Sequence, residues 1–118
     1  MAGTDSSADF LAGFIEDYFA ECEEHLTTIR RLLAEAHPAA PGGMSSRTIE
    51  ELFRAFHSIK GLSAMVEVRD AELLSHHMEG YLRLLRDRET AFTAAGLDAL
   101  IIGTSRLEQV IAARRSGT

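Results

Sequence analysis

The amino-acid sequence predicts an all-α protein, an antiparallel up-down four-helix bundle. Three observations carry this expectation. Apolar residues recur every three or four positions in four separate segments. Apolar/polar alternation is nowhere sustained long enough for a strand. The connections are mostly short, which makes consecutive helices antiparallel neighbours.

The first helix is expected over residues 8–36, with Leu11, Ile15, Tyr18, Cys22, Leu26, Ile29 and Leu33 on one stripe. At about 1.5 Å per residue it would be roughly 40 Å long. Asp9 or Ser7 can cap its start, and the loop 37–45, with Pro38, Pro41, Gly42 and Gly43, ends it. The second helix, 46–66, carries Ile49, Leu52, Phe56, Ile59, Ser63 and Val66. The third, 70–88, opens on Asp70 as a candidate N-cap, with Glu72 in its first turn. Ala71, Leu74, Met78, Tyr81 and Leu85 form its stripe, and Arg83, Arg86 and Arg88 gather where they suit the helix dipole. The fourth, 94–115, follows Thr93 as N-cap and lines Leu97, Leu100 or Ile101, Thr104, Leu107 and Ile111. Phe10, Phe14, Phe19, Phe53 and Phe92 are expected in the core or at its rim, and His77 at the core edge.

Composition narrows the function classes. A chain of 118 residues and 12.9 kDa is one domain, 1–118, large enough for one core. It is too short for a complete protein kinase with its own ATP domain. The formal net charge of −6 argues against a general nucleic-acid binder. No long apolar run suggests membrane insertion, and Met1 to Asp9 has no apolar signal-peptide core. The single cysteine, Cys22, sits in a core stripe, where an inert thiol is expected; it fits a reducing, cytoplasmic setting.

The chemically informative run is Phe53-Arg54-Ala55-Phe56-His57-Ser58-Ile59-Lys60-Gly61-Leu62-Ser63-Ala64. His57 falls beside the apolar stripe, one residue past Phe56. Lys60, Gly61 and Ala64 lie three, four and seven residues on, along the same face. A neutral imidazole is a nucleophile near pH 7. A lysine one turn away can neutralise a phosphoryl group that it accepts. A mid-helix glycine costs about 0.5–1 kcal/mol relative to alanine, which suggests that something must approach the backbone closely. The imidazole also needs its second nitrogen held, so that one tautomer is favoured. Ser75-His76-His77-Met78-Glu79 offers the candidate: His76 and Glu79 share a polar face of the third helix, off its stripe.

His57-Ser58-Ile59-Lys60-Gly61 resembles the phosphoacceptor motif of histidine phosphotransfer (HPt) domains, and most of all the N-terminal phosphotransfer domain of chemotaxis-type histidine kinases. The lead-in Phe53-Arg54-Ala55, the spacing to His76-x-x-Glu79 and the acidic first helix opening on Asp9-Phe10 strengthen the resemblance. It covers roughly Asp9 to Arg115. It implies a helical bundle in which His57 is phosphorylated through Nε2, Glu79 holds the other ring nitrogen, and Lys60 and His76 complete the network. Gly61 would leave room for a partner, with Ala64, Phe53 and Arg54 around the docking face. The implied partners are a response-regulator receiver domain and a histidine-kinase ATP-binding domain. No cofactor is expected in this domain itself, ATP and Mg²⁺ belonging to partner domains. The chain would be a phosphoryl carrier, not catalytic alone, and either the N-terminal module of a sensor kinase or a freestanding relay protein. A docking module that is never phosphorylated is the alternative, which the retained His57 and Lys60 disfavour.

Two positions depart from the family pattern. Glu67 stands where a glycine often follows the motif, so the second helix is expected to end differently. Leu62 replaces a residue that is often small. A metal site is not expected: the pairs His76/Glu79 and Glu21/His25 lie off the core stripes, in an order unlike the Glu-x-x-His of bundle metal proteins.

Overall fold

The computed structural model describes residues 2–117, with side chains from Asp9 onward. It contains α1 (Ala2–Ala34), α2 (Ser46–Met65), α3 (Arg69–Arg86) and α4 (Ala94–Ser116), and among the described residues no strand. α2 packs on α1 and α3, and α4 packs on α1 and α3, with the diagonal pairs facing one another across the core. This is the expected up-down bundle. Its core interleaves Tyr18, Cys22, Leu26, Ile29 and Leu33 with Leu52, Phe56, Ile59, Leu82, Leu100 and Leu107, all buried. Each such leucine or isoleucine contributes about 1.5–3 kcal/mol by leaving water.

Two side-chain caps form, the expected one at Thr93 and one at Ser45 that the sequence reading did not name. Ser45 Oγ accepts from the Thr48 amide at 3.1 Å, and Thr93 Oγ1 accepts from the Gly96 amide at 3.0 Å. Such caps supply about 1 kcal/mol each. On α4 the residue facing inward is Leu100, at 1% exposure, while Ile101 is 47% exposed. Burial pushes the Cys22 thiol up to about 11, which keeps it protonated. Tyr18 and Ser63, the polar members of this wall, share a hydrogen bond at 2.9 Å.

The N-terminal end differs from expectation. α1 begins at Ala2, so Asp9 lies inside the helix and does not cap it; the side chain of Ser7 lies outside the described residues. Phe10, Leu11 and Phe14 are 70%, 62% and 39% exposed, not core. The cause is length. α1 has 33 residues against 20, 18 and 23 for α2, α3 and α4. Glu16 pairs with Arg115 in the last turn of α4, so the turns before it run past the end of the bundle. Phe19 is buried as expected, and Phe53 and Phe92 are partly buried against the core.

The turn between α2 and α3 is the other departure. Glu67 adopts φ 60°, the left-handed conformation that the glycine at this position would supply. The Val68 amide donates to Ser63 O at 2.9 Å and the Glu67 amide to Ala64 O at 3.3 Å. This is a Schellman closure built on a glutamate, so the helix ends in the glycine manner without the glycine. Asp70 is therefore not the N-cap of α3. Val68 occupies that place without a side-chain hydrogen bond, and Asp70 and Glu72 sit in the first turn, where they favour the helix dipole. α3 stops at Arg86 because Arg88 is also left-handed, at φ 58°.

Candidate functional site

His57 and Glu79 lie on adjacent antiparallel helices at similar distances from their connection. His57 is eight residues before the end of α2 at Met65, and Glu79 ten after the start of α3 at Arg69. At about 1.5 Å per residue the two then stand within about 3 Å of one level, close enough for their side chains to meet. Laterally, His57 is one residue past the buried Phe56 and Glu79 one past the buried Met78, so both flank their stripes along the α2–α3 seam.

The contacts follow. His57 Nδ1 is 3.2 Å from Glu79 Oε2, and Lys60 Nζ is 2.7 Å from Glu79 Oε1. The carboxylate thus receives a ring nitrogen on one oxygen and an ammonium on the other. Its side chain is 2% exposed, against 62% for His57 and 26% for Lys60. Burial acts to raise the carboxyl's pKa, but Lys60 and His57 together outweigh it and hold the group below the usual range. Glu79 is therefore ionised at neutral pH. An ionised carboxylate only accepts. It fixes the proton of a neutral imidazole on Nδ1 and leaves the lone pair on Nε2, on a ring that opens to solvent.

The residues expected at the docking face differ in exposure. Gly61, Ala64 and Arg54 are exposed. A Cβ at Gly61 would meet nothing within 4 Å, so no contact inside the chain requires glycine there. Leu62 is half-buried against the core. Phe53 differs: it is partly buried, and the His57 ring stacks on it with centroids 6.1 Å apart and planes 8° from parallel. From α3, the guanidinium carbons of Arg83 and Arg86 lie 5.8 and 5.2 Å from the Phe53 centroid. Phe53 is a platform for His57 more than a surface in its own right.

His76 does not join the network. It is exposed and its ring neighbours His77, at 5.9 Å between centroids; no hydrogen bond or ion pair links it to His57, Lys60 or Glu79 among the described residues. His77 is exposed too, not at the core edge. A separation of three residues leaves an angle of about 60° around the helix. That is enough to put Glu79 in the seam and His76 in solvent. The shared polar face expected for them is therefore absent, and Glu79 is a buried residue. The ligand pair His76/Glu79 does not converge.

Arg83 and Arg86 were expected only to serve the helix dipole. A stronger signal was present in the spacing. Glu79, Arg83 and Arg86 are four and three residues apart, which sets both arginines on the flank of α3 that carries the carboxylate.

Comparison with known proteins agrees with this geometry. The chain is 29% identical over 100 residues to chemotaxis protein CheA of Bacillus subtilis, covering 83% of this chain and 14% of that protein. It is 28% identical over 95 residues to CheA of Halobacterium salinarum, covering 80% of this chain and 14% of that one. The chain thus spans a small part of the length of these relatives. Among solved structures, the CheA phosphotransferase domain from Thermotoga maritima superposes with a TM-score of 0.75 at 24% identity, over 85% of this chain and 92% of that one, a likeness of fold. The model of the Hpt domain family matches residues 13–117, nearly the whole described chain, and the protein belongs to that family.

Proposed function

We propose that this domain is a phosphoryl carrier in two-component signalling, with His57 as the phosphorylated residue. The observation that carries this is the Glu79–His57 contact, which leaves Nε2 as the solvent-facing nucleophile. In the forward step the Nε2 lone pair attacks a phosphorus, the Nε2–P bond forms and the bond to the donor oxygen breaks. The donor is ATP held by a histidine-kinase ATP-binding domain, or an aspartyl phosphate of a receiver. In the return step a response-regulator aspartate takes the group. Transfer of this kind is largely positioning and charge neutralisation. This chain supplies the oriented imidazole; partner domains supply Mg²⁺ and, for the kinase, ATP, so the domain alone does not turn over ATP. A reaction with these proposed partners and ATP belongs in the cytoplasm, which is part of the same proposal. No described helix is long and apolar enough to cross a membrane.

The similarity to chemotaxis CheA proteins supports the kinase branch, in which this domain is the phosphate-carrying module of a larger sensor kinase. Incubation with a histidine-kinase ATP-binding domain and radiolabelled ATP should give acid-labile phosphate on the wild type and none on His57→Gln. Equal labelling of the two would overturn the assignment.

A further inference from the structure

Lys60 is committed in the resting domain, its ammonium lying 2.7 Å from Glu79. Arg86 is also engaged, with Asp87 at 3.3 Å and Glu50 at 3.9 Å. Arg83 is different. Among the described residues no carboxylate pairs with it, and its guanidinium rests on the ring of Phe53, on which His57 itself stacks. An unneutralised cation therefore sits one aromatic ring away from the nucleophile.

We propose that Arg83 is the cation that meets the phosphoryl group on His57. This rests on His57 being the phosphoacceptor. In the resting state a cation–π contact holds the guanidinium on Phe53, the ring on which the imidazole also stacks. Once Nε2 carries the phosphoryl charge, the guanidinium exchanges the ring for the phosphoryl oxygens. An exposed cation–π contact is weaker than a charge-assisted hydrogen bond to phosphate, so the exchange runs towards the phosphoryl group. The planar fork of arginine can take two oxygens at once. Phe53 is then a positioning residue, and Lys60 keeps its place on Glu79 throughout.

Phosphoramidate tests this without a partner protein. The Nε2 lone pair attacks phosphorus, the P–N bond of the donor breaks and ammonia leaves, while Nδ1–H stays with Glu79. Phosphohistidine is followed by ³¹P NMR. Arg83→Gln should slow labelling about threefold at low ionic strength, the scale of one unit charge a few ångströms away in water. The difference should vanish in roughly 1 M salt, where screening acts within about 3 Å. Arg83→Lys should restore most of the rate. Arg106→Gln, the same charge loss on exposed α4, should leave the rate unchanged. Phe53→Leu, which keeps the charge but removes its seat, should also slow labelling. The ¹⁵N resonance of Arg83 Nε, identified by its loss in Arg83→Gln, should move on phosphorylation. A wild type that forms no phosphohistidine refutes the carrier assignment itself. A wild type that labels while Arg83→Gln labels equally fast, or an Arg83 resonance that stays in place, overturns the role of Arg83 alone.

Discussion

Lys60 and Glu79 form a 2.7 Å ion pair that is closed to solvent on the carboxylate side, and His57 rests on its outer edge. Breaking such a pair from one side leaves an uncompensated charge, so each member constrains the others. The histidine is oriented by an anion that the lysine keeps ionised.

Glu79→Gln tests that dependence. The amide fills the same space but loses the charge that fixes Nδ1–H. A hydrogen bond to a charged group is worth about 1.5–3 kcal/mol, so phosphorylation of His57 should slow by about tenfold to hundredfold. Rates measured with a kinase ATP-binding domain check this, with circular dichroism to show that the helices persist. Unaltered rates would remove Glu79 from the mechanism.

The same carboxylate should shape the acid limb of stability. Its folded pKa is depressed, with Lys60 and His57 overcoming the effect of burial. A depressed carboxyl stabilises the fold fully above its unfolded value of about 4.3, and the contribution is lost as pH falls through the folded value. Urea unfolding of wild type and Glu79→Gln from pH 6 to pH 3 should show a constant gap at the upper end. The gap should close below about pH 4. A gap that stays constant down to pH 3 would contradict an ionised, paired Glu79.

Gly61 should separate stability from transfer. A Cβ there meets nothing inside the chain, so Gly61→Ala should stabilise the helix by about 0.5–1 kcal/mol. Gly61→Leu should leave the fold intact yet slow transfer to a receiver, because the added side chain stands beside Nε2. Denaturation midpoints and transfer rates on the same samples distinguish the two effects. Unimpeded transfer with leucine present would show that no partner uses this face.

Glu67 holds a left-handed backbone at φ 60°. That conformation costs an L-residue about 1–2 kcal/mol and costs glycine almost nothing. Glu67→Gly should raise the urea midpoint by the equivalent of about 1 kcal/mol, with part of the gain offset by the freer unfolded chain. The slope of the transition should be unchanged. A lowered midpoint would mean that the glutamate side chain contributes more than its backbone costs.

Much of this molecule was legible in its sequence. The four stripes have the helical period, and Pro38, Pro41 and Thr93 punctuate them, so the bundle and its main loop follow directly. His57, Lys60 and Glu79 were readable from the motif and its spacing. What periodicity lacks is a measure of where a partner helix ends. Phe10 and Phe14 continue the apolar pattern of α1 with nothing opposite them, and so they are exposed. Glycine contacts across helices are equally invisible: a Cβ on Gly96 would collide with the Tyr81 hydroxyl, and one on Gly103 with Met78 Sδ. Both glycines let α4 approach α3. His76 was misplaced because a shared face is a broad sector, while the seam that buries Glu79 is narrow.

The three-residue bend between Met65 and Arg69 makes the α2–α3 hairpin a gauge that sets His57 against Glu79. Removing one residue from the bend would shift Glu79 by about 1.5 Å along α3 and rotate it by about 100° about the helix axis, carrying the carboxylate out of the seam altogether. The bend can therefore change its chemistry, as a glutamate in a glycine's conformation already shows, but not its length. Three residues between the two helices set the alignment on which the reactive nitrogen depends.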